Sequence, residues 1–502
     1  MSRPKPPPKT LLDWLGLRQA PEWSVARPLG GLVTVVLALL FAVALAAAMV
    51  LLVRTIGGGE GSLGTGALIV ALLSAPFLIW NTVIRHRALE FQKEGHLTDR
   101  LAKAVEQLGA EKTVKKIVRD AAGQPIKDKD LKVVVEETTE PNLEVRIGGL
   151  LSLERIAQDS TAYDQGRDHV RVMEIICAYI RNNAPAKDAR DFPLRDLDPL
   201  PDDATPDQRK THLAYVNLRR YAGGNLREWS ASLPKPREDI MLALSILERR
   251  SDRQRRIEAA HGRDDVVEAP WVFAEPWTRL PDRPEGQAHG ADVIEAFKRD
   301  LRNWRDKLWD YGGYRPDLRR TCLQGADLSR FRLAGSRLNG ARLEGATLVG
   351  ARLQGANLLG ARLDGADLRM ARLDGAELWW ARLDGAFLWK ARLEGAELWR
   401  ARLQGANLRM VRLVCTSLGA SAWDGAALKE VDLSSASEVT REQVQSSFGD
   451  ASVILPDHLR PPPGHWPDWN LGIQEFDDQW RLWQADRANY RPPPRPAPDQ
   501  TG

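Results

Sequence analysis

Cysteine is scarce in this chain: Cys177, Cys322 and Cys415 are the only three in 502 residues. They are scattered without metal-ligand spacing, which excludes a paired CxxC site and suits buried thiols in a reducing compartment. No Walker loop, H-E-x-x-H pair or G-x-S-x-G nucleophile elbow occurs. One G-x-G-x-x-G string, Gly59 to Gly64, lies between two apolar runs and lacks the preceding strand and soluble helix that a dinucleotide loop needs. It reads as a flexible turn. His458 and His465 stand near a C-terminal capping segment and read as structural. The spacing therefore assembles no catalytic residues, no cofactor site and no metal site. Net charge is nearly missing too, since 71 Lys and Arg face 67 Asp and Glu. A balance of +4 argues little for a nucleic-acid partner.

What the chain has in quantity is leucine at a five-residue period. From Leu323 to Leu433 every fifth position is leucine, with Trp423 the one exception. Five residues on a helix overshoot a full turn by roughly 140°, so the leucines would form no stripe. On a flat strand an odd period would alternate faces. All can point inward only if the backbone turns a corner in every repeat. Two positions before the leucines, Ala341, Ala346, Ala351 and onward to Ala406 supply the small second inward residue. The predicted core is leucine plus alanine.

Triplets such as Ala356-Asn357-Leu358 and Ala366-Asp367-Leu368 fit A-[DN]-L-x-x, and here the chain resembles the pentapeptide-repeat family. The resemblance implies a right-handed quadrilateral β-helix with four repeats per coil, so about 23 repeats give nearly six coils, close to 28 Å long. That fold carries no single activity. With about twenty residues per coil, Arg342, Arg362, Arg382 and Arg402 stack on one face, and Arg332, Arg352, Arg372, Arg392 and Arg412 on the opposite one. Glu344, Asp364 and Asp384 share the first face, Asp374 and Glu394 the second, and all are expected to point outward. The pattern reads as a solvated lattice of ion pairs worth about 0–1 kcal/mol each, in preference to an anion-binding surface. Gly345, Gly365 and Gly385 fall near corners, where a missing side chain eases the turn.

The other faces are less regular. Trp379, Trp380 and Trp399 share one with Leu359, whereas Trp389 and Lys390 lie opposite with Phe387. Aromatic residues beside Lys390 and Arg400 resemble interface positions, where Trp and Arg concentrate binding energy. The candidate partner-binding residues are accordingly Trp379, Trp380, Trp389, Lys390, Trp399 and Arg400. The alternative is that another part of the chain packs on them.

Residues 29–53 carry no charge and are long enough to cross a bilayer core of about 30 Å, and a second apolar stretch follows at 63–84. Arg3, Lys5, Lys9, Arg18 and Arg27 precede the pair, and Arg85, Arg87 and Lys93 follow it. The positive-inside rule then places both ends in the cytoplasm. Small residues such as Ala42 and Ala46 leave a homo-oligomer open.

The expected fold class is a multidomain membrane protein: a transmembrane α-helical hairpin and a helical domain, followed by the quadrilateral β-helix. The expected order is a basic proline-rich start (1–28), the hairpin (29–86), a helical linker with an irregular insertion or short hairpin (87–141), and a small helical domain (142–250). A linker and N-terminal solenoid cap (251–320), the repeats (321–436), and a C-terminal cap with a proline-rich tail (437–502) complete it. Val145-Arg146-Ile147-Gly148-Gly149-Leu150 resembles a segment between hairpin and repeats in bacterial membrane-anchored members of the family.

These features point to a non-enzymatic scaffold of the bacterial inner membrane, with two spans and an unidentified protein partner. Some pentapeptide-repeat proteins imitate DNA and protect topoisomerases. The repeats here depart from that pattern, because 14 Arg and 2 Lys outnumber 7 Asp and 5 Glu between Thr321 and Ser435.

Overall fold

Residues twenty apart stack side by side in the computed structural model. Parallel bridges join Asp317 to Arg337, Arg342 to Arg362, Arg382 to Arg402 and Ser417 to Ser437. Twenty residues, or four repeats, therefore make one coil. The leucines and their alanine partners are almost fully buried, for example Leu343 and Ala341 at 1% and 0% exposure. Each buried leucine contributes about 1.5–3 kcal/mol. At each corner an amide reaches back three residues, as Ala346 N does to Leu343 O at 3.0 Å, with the residue before it left-handed. Trp423 fills a leucine position at 1% exposure and donates its Nε1–H to Ser421 Oγ. The ladder extends past 321–436 at both ends, from Asp317 to Ile454.

The structure describes residues 98–120, 124–127, 133–192, 203–206, 208–209, 225–263, 266–273 and 289–495, with a few helical positions between 46 and 56. Chain packing separates residues 1–100 from 101–502, and every element named below belongs to the second unit. Among the described residues no helix is long and apolar enough to cross a membrane. Nearly all of the expected hairpin at 29–86 lies outside them.

Strands β1 (Glu111–Ile117) and β2 (Val135–Pro141) pair antiparallel, Glu111 opposite Pro141. Lys115 with Glu137 and Lys116 with Glu140 tie them together. The stretch is thus a ribbon, not an irregular insertion, because Lys112, Lys115 and Lys116 of β1 stand opposite Glu140, Glu137 and Glu136 of β2. Helix α1 (Leu143–Tyr163) follows, capped by Asn142 Oδ1 on Val145 N. Leu150, Leu153 and Ile156 face its neighbours α2 (His169–Asn183) and α4 (Glu238–Glu248), while Val145 and Leu151 turn to the surface. Between them, α3 (Asn225–Ala231) lies against the solenoid, as described below.

The charged segment after residue 250 was expected to be a linker. It instead forms α5 (Asp252–Ala260), started by a Ser251/Gln254 capping box. Two of its charges, Arg255 and Glu258, are buried. Glu258, fully buried, accepts from Arg250 Nη1 at 2.7 Å and sits 2.9 Å from His169 Nε2. Its backbone carbonyl also takes Tyr314 N, on the approach to the first coil.

The segment after α2 caps that coil. Ala186 N donates to Arg320 O, Cys322 N to Ala184 O, and Gln324 exchanges two bonds with the Arg190 backbone. At the other end α7 (Arg441–Gln445) places Gln443 Nε2 on the carbonyls of Leu418 and Ser421. Helix α8 (Ile473–Ala485) then closes a cluster of Phe448, Leu471, Phe476, Trp483 and Tyr490. His465 stacks on Trp483 and meets Ser447 O, a structural role.

Candidate interaction faces of the solenoid

Helix α6 (Ala291–Trp309) was expected to cover the first coil. It lies instead along the solenoid wall. Ile294, Phe297, Leu301, Trp304 and Leu308 are spaced by three and four residues on its buried side. Leu301 sits over Gly395, Trp304 over Gly375 and Leu308 over Gly355, one coil lower at each helical turn. The match is metric: a helix rises about 5.4 Å per turn and stacked strands about 4.8 Å, so successive turns find successive coils. Glycine is required beneath the helix. A Cβ on Gly375 would overlap the Trp304 ring, and the backbone there is left-handed at φ +61. On the opposite wall Leu226 and Ser230 of α3 cover Gly385, Gly365 and Gly345.

These two walls are the two arginine-acid faces. The acids do not point into solvent as expected: Glu344, Asp364, Asp374, Asp384 and Glu394 are all fully buried. Each lies between its own arginine and that of the next coil. Glu344 pairs with Arg342 at 2.7 Å and Arg362 at 2.9 Å, and Asp374 with Arg392 at 3.3 Å. Asp191 adds a second carboxylate between Arg342 and Arg362, at 2.8 Å from each. Burial raises the Glu344 carboxyl above its usual range despite both guanidiniums. Burial, with Glu394 one coil on, raises Asp374 further. Such pairs are costly to break and contribute less net stability than their number suggests.

The remaining two walls are more open, and they hold the sequence-predicted residues. Trp379, Trp380 and Trp399 meet edge to face with centroids 5.2–6.4 Å apart. Trp379 and Trp380 are 38% and 44% exposed. Arg400 lies 4.3 Å over the Trp399 ring, and Trp379 Nε1 donates to Glu397, which Arg305 of α6 also holds. Trp389 and Lys390 form a separate pair on the other open wall, 4.5 Å from cation to ring, and do not join the cluster. Phe387 is covered by Arg227 at 4.9 Å. The aromatic tail does not reach the three indoles, since Trp466 and Trp483 are buried at the C-terminal end.

One feature of this cluster is invisible in the pattern alone. Trp380 and Arg400 occupy the left-handed corner, at φ +55 and +56, where the same column has Gly340 and Gly360 in earlier coils. A bulky residue there costs about 1–2 kcal/mol, which the repeat also tolerates at Arg320, Met370, Lys390 and Met410.

Among the described residues no group of His, Cys, Asp and Glu could hold a metal ion. Cys177 is buried against Tyr314 Oη, whereas Cys322 and Cys415 are only half-buried.

Comparison with known proteins places the repeats. The family described as Pentapeptide repeats matches residues 317–350, 332–369 and 371–409, eight copies in all. The chain carries a pentapeptide-repeat solenoid. Among solved structures it is similar to the pentapeptide-repeat protein Rfr23 from the cyanobacterium Cyanothece 51142, at 34% identity over 18% of this chain and 59% of that one, with a TM-score of 0.16. A pentapeptide-repeat protein of the Arabidopsis thaliana thylakoid lumen is 32% identical over 21% and 64% of the two chains, with a TM-score of 0.13. QnrB1, a plasmid-mediated fluoroquinolone resistance protein, is 19% identical over 29% and 79%, with a TM-score of 0.18. The chain thus spans less than two thirds of the first two. No curated protein sequence matches it.

Proposed function

We propose that the chain is a non-enzymatic scaffold, tethered to the bacterial inner membrane by the apolar runs at 29–53 and 63–84, that presents the Trp379, Trp380, Trp399 and Arg400 wall to a protein partner. The observation that carries the reading is the exposed indole cluster, on a wall that α6 reaches through the Arg305–Glu397 pair but does not cover. Trp and Arg are the residues on which interfaces concentrate binding energy. Trp389 and Lys390, on the other open wall, form a second and smaller contact. The DNA-mimic alternative is disfavoured by the excess of arginine over acid in the repeats.

The test is proximity labelling in the native membrane with the full chain and a Trp379→Ala, Trp380→Ala, Trp399→Ala variant. The variant should lose its principal labelled protein while keeping its membrane fraction. Because these side chains lie outside the leucine core, thermal stability should change by no more than about 1 kcal/mol. Unchanged labelling would remove the wall from the binding account, and a carbonate-extractable full chain would remove the tether.

A further inference from the structure

The acid column under α6 is incomplete. On this wall the residue two after each arginine is, coil by coil, Ala334, Gln354, Asp374, Glu394 and Val414. Arg372, Arg392 and Arg412 each still meet Asp374 or Glu394, whereas Arg332 and Arg352 have no column carboxylate. Arg332 takes one from outside the repeats, pairing with Asp252 at the start of α5 at 2.7 Å. Arg352 is exposed and has no ion pair or side-chain hydrogen bond among the described residues. On the opposite wall the equivalent of Gln354 is Glu344, the buried acid between Arg342 and Arg362.

The break opens onto a cavity of about 410 Å³. Its solenoid side presents Arg332, Arg352 and Arg372, and α5 adds Arg255 and Arg256. Against these five guanidiniums the lining includes one carboxylate, Asp252. Glu268, just outside, holds Arg256 at 2.8 Å and is shared with Arg253. Gln354, with its amide oxygen turned toward Arg372, accepts from Nε and Nη2 at 2.9 and 3.0 Å and orients that guanidinium, which Asp374 approaches at 3.8 Å from within the column. Two aromatic rings also line it. Trp271 and Phe273 lie 4.9 Å apart, Phe273 over Gly335 and Gly355, and the turn that carries them is pinned by Trp304 Nε1 on Val272 O at 2.7 Å. Arg255 is 3% exposed and is held down to about 10, by burial first and then by Arg250 and Arg332. The concave shape, the charge and the volume fit one class of ligand, because planar guanidiniums grip phosphate oxygens two at a time and small-molecule sites span about 300–1,000 Å³.

We propose that this cavity binds a small phosphorylated molecule, with Arg352 as the uncommitted anchor and Arg332, Arg255 and Arg372 completing the phosphate cradle. The ligand could be an inorganic polyphosphate or a nucleotide, and both share this chemistry. The site is independent of the indole wall.

The test is titration calorimetry on the full chain in detergent at low ionic strength, with sodium tripolyphosphate in one arm and ADP in the other. Saturable one-to-one binding in either arm supports the site and names its source. Arg352→Gln should weaken that binding at least about tenfold. Gln354→Glu is the sharper variant: it completes the acid column as Glu344 does opposite, so the protein should stay folded with an unchanged or raised melting temperature while binding is abolished. Failure of both probes to bind at millimolar concentration overturns the proposal. So does binding that Gln354→Glu leaves intact.

Discussion

Trp304→Ala should cost about 3–5 kcal/mol and free α6 from the wall of the solenoid, the largest effect expected of any single side chain on that helix. Trp304 is 1% exposed, its ring sits in the groove over Gly375, and its Nε1–H satisfies Val272 O. Truncation leaves a cavity between helix and coils and strips a buried carbonyl of its donor. The loss should be local. A solenoid is stabilised by neighbouring coils, so its ladder amides do not depend on the brace. Hydrogen exchange checks this: protection across 291–309 should fall toward that of an isolated helix, while amides such as Leu373 N, bonded to Arg392 O at 2.7 Å, keep theirs. Gly375→Leu attacks the same contact from the solenoid side and should reproduce the pattern. Equal protection of α6 in wild type and Trp304→Ala would end the brace interpretation.

Glu258→Gln should destabilise the helical domain by about 3–5 kcal/mol, because it leaves Arg250 buried without its counter-charge. The Arg250 and Glu258 side chains are 1% and 0% exposed, and His169 is fully buried on the other carboxylate oxygen. Burial by itself would raise the Glu258 carboxyl. Arg250 and His169 outweigh it and hold the group below its ordinary value of 4.5. The sign of the pH dependence follows. A carboxyl depressed in the folded state contributes its stability above the unfolded value and loses it as pH falls through the folded one. Wild type and Glu258→Gln should therefore differ most in denaturant midpoint above about pH 5 and converge as pH falls below the ordinary carboxylate value. A constant gap down to pH 2 would show that the carboxylate charge is not what stabilises the site.

Several features were legible because they are local. Leu343 and Ala341 must both point inward once the period is five, and the turn after each leucine needs a left-handed residue, which glycine supplies at 345 and 375. Asn142 before an apolar run announced the start of α1. Other readings failed where a distant segment changed the environment. Glu344 and Asp374 sit two residues from an arginine on outward positions, and outward means solvated only if nothing covers the wall. Arg255 and Glu258 fall in the segment expected to be a linker, because Glu258 meets His169 only when α2 and α5 pack. The indoles at 379, 380 and 399 were recognisable as a group from the twenty-residue coil, yet their freedom from the aromatic tail depended on where α8 came to rest.

The sequence by itself determined the solenoid, since leucine and alanine at fixed spacing admit only a backbone that turns a corner every repeat, and each corner is settled within five residues. Tertiary structure decided which walls are interior. The heptad from Ile294 to Leu308 and the glycines at 355, 375 and 395 carry no mark of each other in the chain. They meet because a helical turn and a coil have nearly the same rise, and that match buries one set of ion pairs, leaves the tryptophan wall open, and stops short of the arginines around Arg352.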